Sequence, residues 1–143
     1  MENNAYDLNR FSIMQDMKYF QALDEIKSGR KQTHWMWFIF PQLRALGRSK
    51  MALYYGIENL EEAKAYMEHP ILGARLREIS SALLALDSND PLAVMGAPDH
   101  IKLCSCMTLF IHATEDNEVF KAVLQKYYDG EADRQTLEII GEI

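Results

Sequence analysis

The sequence predicts an all-α fold: a single compact domain of seven or eight mostly short helices around a buried aromatic segment. Three observations carry this. Apolar residues recur at spacings of three and four along most of the chain, the signature of amphipathic helices. No segment alternates apolar and polar residues at period two for more than a few positions, and no Asn-Gly turn occurs, so a hairpin has no signal. Four of the 15 aromatic residues fall within the six positions Trp35–Phe40. That run is apolar on every face, so it must be enclosed whether extended or helical.

The elements follow in order. Ile13, Met17, Phe20, Leu23 and Ile26 form a stripe on a first helix that stops at Gly29. Asn59 with Glu62 three residues later is a capping-box start for a helix through Glu68. His69-Pro70 opens the next, carried by Ile71, Leu72, Leu76, Ile79, Leu83 and Leu86 to Asp87. Asp90-Pro91 starts a short piece ending near Gly96, and Asp99 caps a helix through Ile111. Asn117 caps another, with Phe120, Val123, Leu124 and Tyr127 inward and a stop at Gly130. A last helix runs from about Asp133 to Ile140.

Length and composition exclude several classes. With 143 residues the chain is one domain, 1–143, with 1–8 as a loosely ordered N-terminus. A chain of this size buries about 68–70% of its unfolded surface. Its 48% hydrophobic and 25% charged residues exclude a disordered or low-complexity protein. Two cysteines build no disulfide framework, and a pI near 5.2 argues against a general nucleic-acid binder. The longest apolar run has six residues, against about 20 for a membrane-spanning helix. Met1-Glu2-Asn3-Asn4 lacks the features of a signal peptide. Free cysteines then point to the cytoplasm.

Charge is unevenly spread. From Lys27 to Ile57 there is no acidic residue, and Lys27, Arg30, Lys31, Arg44, Arg48 and Lys50 give that stretch a charge of +6 within a chain of net −6. Such a field attracts an anionic partner, or it faces the acidic helices of its own domain. The basic stretch contains the aromatic run. Aromatic faces with Lys and Arg can hold a base and its phosphates, and they also make an ordinary core with a solvated rim. Neither glycine-rich phosphate motif is present, so phosphate contacts would come from side chains and from helix starts near Ser49, His69 and Asp99.

His34-Trp35-Met36-Trp37-Phe38-Ile39-Phe40-Pro41-Gln42 resembles an uncharacterised family, domain-of-unknown-function family 1810. The resemblance continues through Leu46-Gly47-x-Ser49, Tyr54-x-x-Ile57, Glu62-Ala63 and His69-Pro70-x-Leu72-Gly73-x-Arg75-Leu76. It resumes at Asp99-x-x-Lys102-Leu103-x-Ser105-x-Met107-Thr108-Leu109-Phe110 and at Gly130-x-x-Asp133-x-x-Thr136-Leu137. Two departures stand out: the family more often has glycine at Ala45 and serine at Cys106. The resemblance implies a helical fold and no particular reaction. Some members are labelled calpastatin, but calpain inhibitors of that name are disordered and this composition builds a core.

His34, between a basic turn and the aromatic run, is the best single candidate for proton transfer or ligand binding. Its bland alternative is a hydrogen-bonded histidine that fixes the start of a buried element. His69 reads as a helix cap, and His100 and His112 as surface residues. No two histidines share a helix face at ligand spacing, and Cys104 and Cys106 point about 200° apart on a helix, so no metal site is expected. Ser105 and Cys106 carry no nucleophile signature and read as small buried residues. Glu61-Glu62 and Glu115-Asp116 with Glu118 read as solvated helix starts.

Lys31, Gln42, Arg75, Asp99 and Lys102 are polar residues in or beside the family-matched motifs, and helices meeting at the aromatic run would bring them together. Asp99 with Lys102 could instead form a local ion pair, and Arg75 could lie along apolar surface. The resulting expectation is binding of an anionic small molecule, a nucleotide or phosphorylated metabolite, by Lys31, His34, Trp35, Trp37, Gln42, Arg75, Asp99 and Lys102. The second expectation is an interaction module whose basic face docks an acidic partner; a structural scaffold is the third. No cofactor is named by the sequence, no membrane partner is expected, and the chain reads as a monomer or weak homo-oligomer.

Overall fold

The computed structural model describes residues 6–143. Among them are nine α-helices: α1 Asn9–Lys27, α2 Met36–Ile39, α3 Lys50–Tyr54, α4 Leu60–Glu68, α5 Leu72–Leu84, α6 Pro91–Met95, α7 Asp99–Ile111, α8 Glu118–Tyr128 and α9 Arg134–Ile140. The class is all-α, as the periodicity predicts. The count exceeds the expected seven or eight because α3 is a single turn capped by the Ser49 hydroxyl, too short to carry a stripe. Of the expected loose N-terminus, residues 1–5 lie outside the described residues. The Tyr6 hydroxyl reaches Asn59 Oδ1 at 3.3 Å.

Helix α7 runs through the centre, and all of Ser105–Phe110 is buried. It packs against α4, α6, α8 and α9, while α5 packs against α1, α4 and α8. The Trp35–Phe40 segment folds as the short helix α2 against α1. Trp35, Met36, Phe38, Ile39 and Phe40 are buried and Trp37 is half-buried. Leu43, after α2, and Ile57, after α3, pair as an isolated parallel bridge.

Most helix starts are built by the residues the sequence marks. Asn59 Oδ1 accepts from the Glu62 amide at 2.9 Å, and Glu62 Oε1 accepts from the Glu58 amide at 2.7 Å. Asp90 caps α6 and Asp133 caps α9. His69 Nδ1 accepts from the Ile71 and Leu72 amides, which confirms its capping role. Two expected caps differ. Asp99 is the first residue of α7, with Pro98 at the cap. Asn117 precedes α8 without capping it and donates instead to the Ile111 carbonyl.

Three burial expectations are corrected. On α1, Leu23 and Ile26 are inside, but Ile13, Met17 and Phe20 face solvent and Phe11, Gln15, Tyr19 and Ala22 take the core. Glu62 is not solvated: its carboxylate is buried and pairs with Arg10 at 2.9 Å. His100 and His112 are half-buried, His112 beside Glu142 at 3.8 Å.

Candidate functional site

A candidate site lies where the α1–α2 turn meets the α6–α7 corner. Helix α1 stops because Ser28 closes its last turn and Gly29 adopts φ +92°, a left-handed conformation open to glycine. The chain then folds back over its own helix end. Glu25 holds that reversal. Its carboxylate accepts from the Gln32 and Thr33 amides at 2.7 and 3.0 Å, the Thr33 hydroxyl at 2.6 Å and the Trp35 indole at 2.9 Å. Partial burial works against its charge, but these donors outweigh it and hold the carboxyl down at about 2.

The turn is pinned to α6 by the Lys31 amide, which donates to the Val94 carbonyl at 2.7 Å. The Lys31 ammonium points inward, 2.9 Å from Asp99 and 2.6 Å from the Thr33 carbonyl, and sits 4.9 Å over the Trp35 ring. Asp99 is also 3.9 Å from Lys102, whose ammonium lies 6.0 Å from the Trp37 ring centre. Between these groups and a wall of Met95, Ala97 and Pro98 is a cleft of about 290 Å³.

Six of the eight residues singled out in the sequence line this cleft: Lys31, His34, Trp35, Trp37, Asp99 and Lys102. Gln42 sits behind Trp37, lining a water-sized space of about 10 Å³ that shares Trp37 and Lys102 with the cleft. Arg75 is not part of the group. It lies on the α1–α5 seam, 3.1 Å from Asp16 and stacked 5.2 Å over Tyr19. The i, i+3 pair of Asp99 and Lys102 exists, yet the closer partner of Asp99 is Lys31.

His34 is exposed and its side chain makes no hydrogen bond among the described residues. The anchoring of the aromatic segment expected of a histidine is done by Glu25 through the Trp35 indole. Glu25, Met95 and Pro98 escaped the sequence reading. Glu25 looks like any acid near a helix end, and its role arises only from the chain reversal.

Lys31, Lys102 and Asp99 together leave one positive charge, beside the half-buried Trp37 face and an exposed imidazole. Cys106 is enclosed in the core and burial pushes its thiol up; burial raises Cys104 to about 11, with Asp133 adding to it. The Ser105 hydroxyl donates to the Ile101 carbonyl. Among the described residues no group of three or more His, Cys, Asp or Glu side chains could hold a metal ion, and no helix is long and apolar enough to cross a membrane.

A helical domain with a small aromatic, partly basic cleft is the class that fold and site define. A family described as "Protein of unknown function (DUF1810)" matches residues 5–140, and the chain belongs to it. The chain is similar in structure to the conserved hypothetical protein Rv1873 from Mycobacterium tuberculosis, with a TM-score of 0.94 and 46% identity over 96% of this chain and 99% of that one. No curated protein matches it.

Proposed function

We propose that this protein binds an anionic small molecule, a nucleotide or phosphorylated metabolite, in the cleft between Lys31–Trp37 and Met95–Lys102. The observation that carries this reading is the convergence of Lys102, His34 and the open face of Trp37 on one concave space. Lys31 is committed to Asp99 and shapes the cleft, so Lys102 and His34 are the groups that meet the anion. Trp37 stacks on the planar part of the ligand.

The test is a thermal-shift screen against nucleotides, dinucleotides and phosphorylated metabolites. A ligand at about 100 times its Kd stabilises by about 2.7 kcal/mol, roughly 5–10 °C for a domain of this size. The expected result is a reproducible shift that Lys102→Ala and His34→Ala each reduce. A shift unchanged in both variants removes the ligand from this cleft.

One observation favours the second reading, a module that docks an acidic protein partner. Arg44, Arg48 and Lys50 are exposed next to exposed Met51, Leu53 and Tyr54 on α3, a basic rim around apolar side chains. Silence across the whole small-molecule panel, with binding of an acidic peptide lost in Arg48→Glu/Lys50→Glu, moves the function to that face.

A further inference from the structure

The cleft beside Trp37 holds one usable cation. The Lys31 side chain is only 8% exposed and its ammonium is fully engaged. Asp99 Oδ2 at 2.9 Å, the Thr33 carbonyl at 2.6 Å and the Trp35 ring at 4.9 Å take its three N–H groups. Lys102 is freer, 26% exposed and 3.9 Å from Asp99 Oδ1. Among the described residues the lining contains no arginine and no other lysine. The amides of His100, Ile101 and Lys102 at the start of α7 already donate to the Gly96 and Pro98 carbonyls, so that helix start offers a polyphosphate no cradle. At about 290 Å³ the cleft stands at the small end of ligand sites, which run from about 300 to 1,000 Å³, and it has room for one base and its sugar.

We propose that the ligand of this cleft is a mononucleotide with a single negative charge, one whose phosphate is a diester, and that Asp99 excludes phosphate monoesters and polyphosphates. The proposal rests on the anion-binding reading of the same cleft and narrows it. A first charge on the phosphate meets the Lys102 ammonium directly, in a charge-assisted contact. A second charge gains little. Its attraction to Lys102 is opposed by the Asp99 carboxylate 3.9 Å from that ammonium, and it must shed water with no further cation to replace it. The net charge of −6 on the whole chain works in the same direction on a polyanion.

Isothermal titration calorimetry of the full chain at pH 8, where a phosphate monoester carries two charges, tests this with the cyclic mononucleotides of the four bases and the matching monophosphates. The expected result is at least one cyclic nucleotide that binds about tenfold more tightly than its monophosphate, with both lost in Lys102→Ala. Asp99→Asn keeps an acceptor for Lys31 and removes the charge, so the monophosphate then binds as tightly as the cyclic form. His34→Lys reaches the same end from the exposed side of the cleft. It adds a cation where the native ring makes no hydrogen bond among the described residues, and it serves where Asp99→Asn fails to fold.

A monophosphate that binds the native protein as tightly as the cyclic form overturns the proposal and leaves the anion-binding reading in place. A preference unchanged in His34→Lys, or in a folded Asp99→Asn, does the same. So does a phosphorylated metabolite that binds in the cleft while every cyclic nucleotide fails. Silence of nucleotides and metabolites alike overturns both.

Discussion

Glu25 shows how a single side chain sets a site it does not line. Four donors from Gln32, Thr33 and Trp35 converge on its carboxylate, so the turn that carries Lys31 and His34 depends on its charge. The folded carboxyl titrates near 2, below the ordinary 4.5. A depressed carboxylate contributes stability that is fully present above the unfolded pKa and is lost as pH falls toward the folded one. Thermal stability should therefore be flat above about pH 5 and fall between about 4.5 and 2, with a component of that fall missing in Glu25→Gln, which starts lower at pH 7. Equal acid sensitivity in the variant and wild type would remove Glu25 from this role. Lys31 and His34 separate in the same spirit. Lys31→Ala leaves Asp99 without its closest cation and is expected to cost about 2 kcal/mol, whereas His34→Ala, at an exposed and unbonded ring, should stay within about 0.5 kcal/mol. Urea denaturation of the two variants gives both numbers.

At the scale of elements, what the sequence makes legible is what local chemistry decides. Asn59, His69, Asp90 and Asp133 cap helices because each needs only amides two or three residues away. The inward face of α1 is different. Gln15 and Tyr19 lie outside the expected stripe, yet Gln15 Nε2 donates to the Phe38 carbonyl and the Tyr66 hydroxyl, and the Tyr19 hydroxyl donates to Glu78. Partners more than 20 residues away make those two side chains buriable, and no periodicity displays them. The same holds at the start of α4. The capping role of Glu62 is visible in its spacing from Asn59, but its pairing with Arg10 needs α1 and α4 to meet. Arg10 also donates to the Tyr54 and Gly56 carbonyls, so one guanidinium ties α1, α3 and α4. Removing it strands a carboxylate exposed by only 3%. Arg10→Ala is expected to destabilise by about 3–5 kcal/mol, and Arg10→Met/Glu62→Leu by much less, since a buried pair replaced whole leaves no orphaned charge. A double-mutant cycle in urea measures the difference; additive losses would mean the two side chains act independently. Gly73 is a further coupling that spacing does not reveal: a Cβ there would stand 2.4 Å from the Met67 carbonyl oxygen, so the α4–α5 corner closes only on glycine.

Across the whole molecule these couplings feed one core. A single cluster of buried side chains runs from Phe11 on α1 through Trp35 and Phe38, Tyr66, Ile79 and Phe110 to Tyr127 on α8. The connections between distant segments are hydrogen-bonded as well as packed. The Tyr127 hydroxyl donates to the Leu83 carbonyl, and the Lys126 ammonium holds the Leu84 and Leu86 carbonyls at the end of α5. A domain built this way unfolds as one unit. Its two tryptophans, however, both sit at the cleft corner, and that corner hangs on Glu25. Fluorescence therefore reports the corner while far-UV circular dichroism reports all the helices. At pH 7 the two urea transitions should superimpose. Near pH 3, where the corner has begun to lose the stabilisation of its ionised carboxylate, the fluorescence transition should move ahead of the dichroism transition. Glu25→Gln should show that separation already at pH 7. Superposition in every case would mean that the corner and the core share one stability, and that the Glu25 contacts are distributed through the whole fold instead of belonging to the cleft.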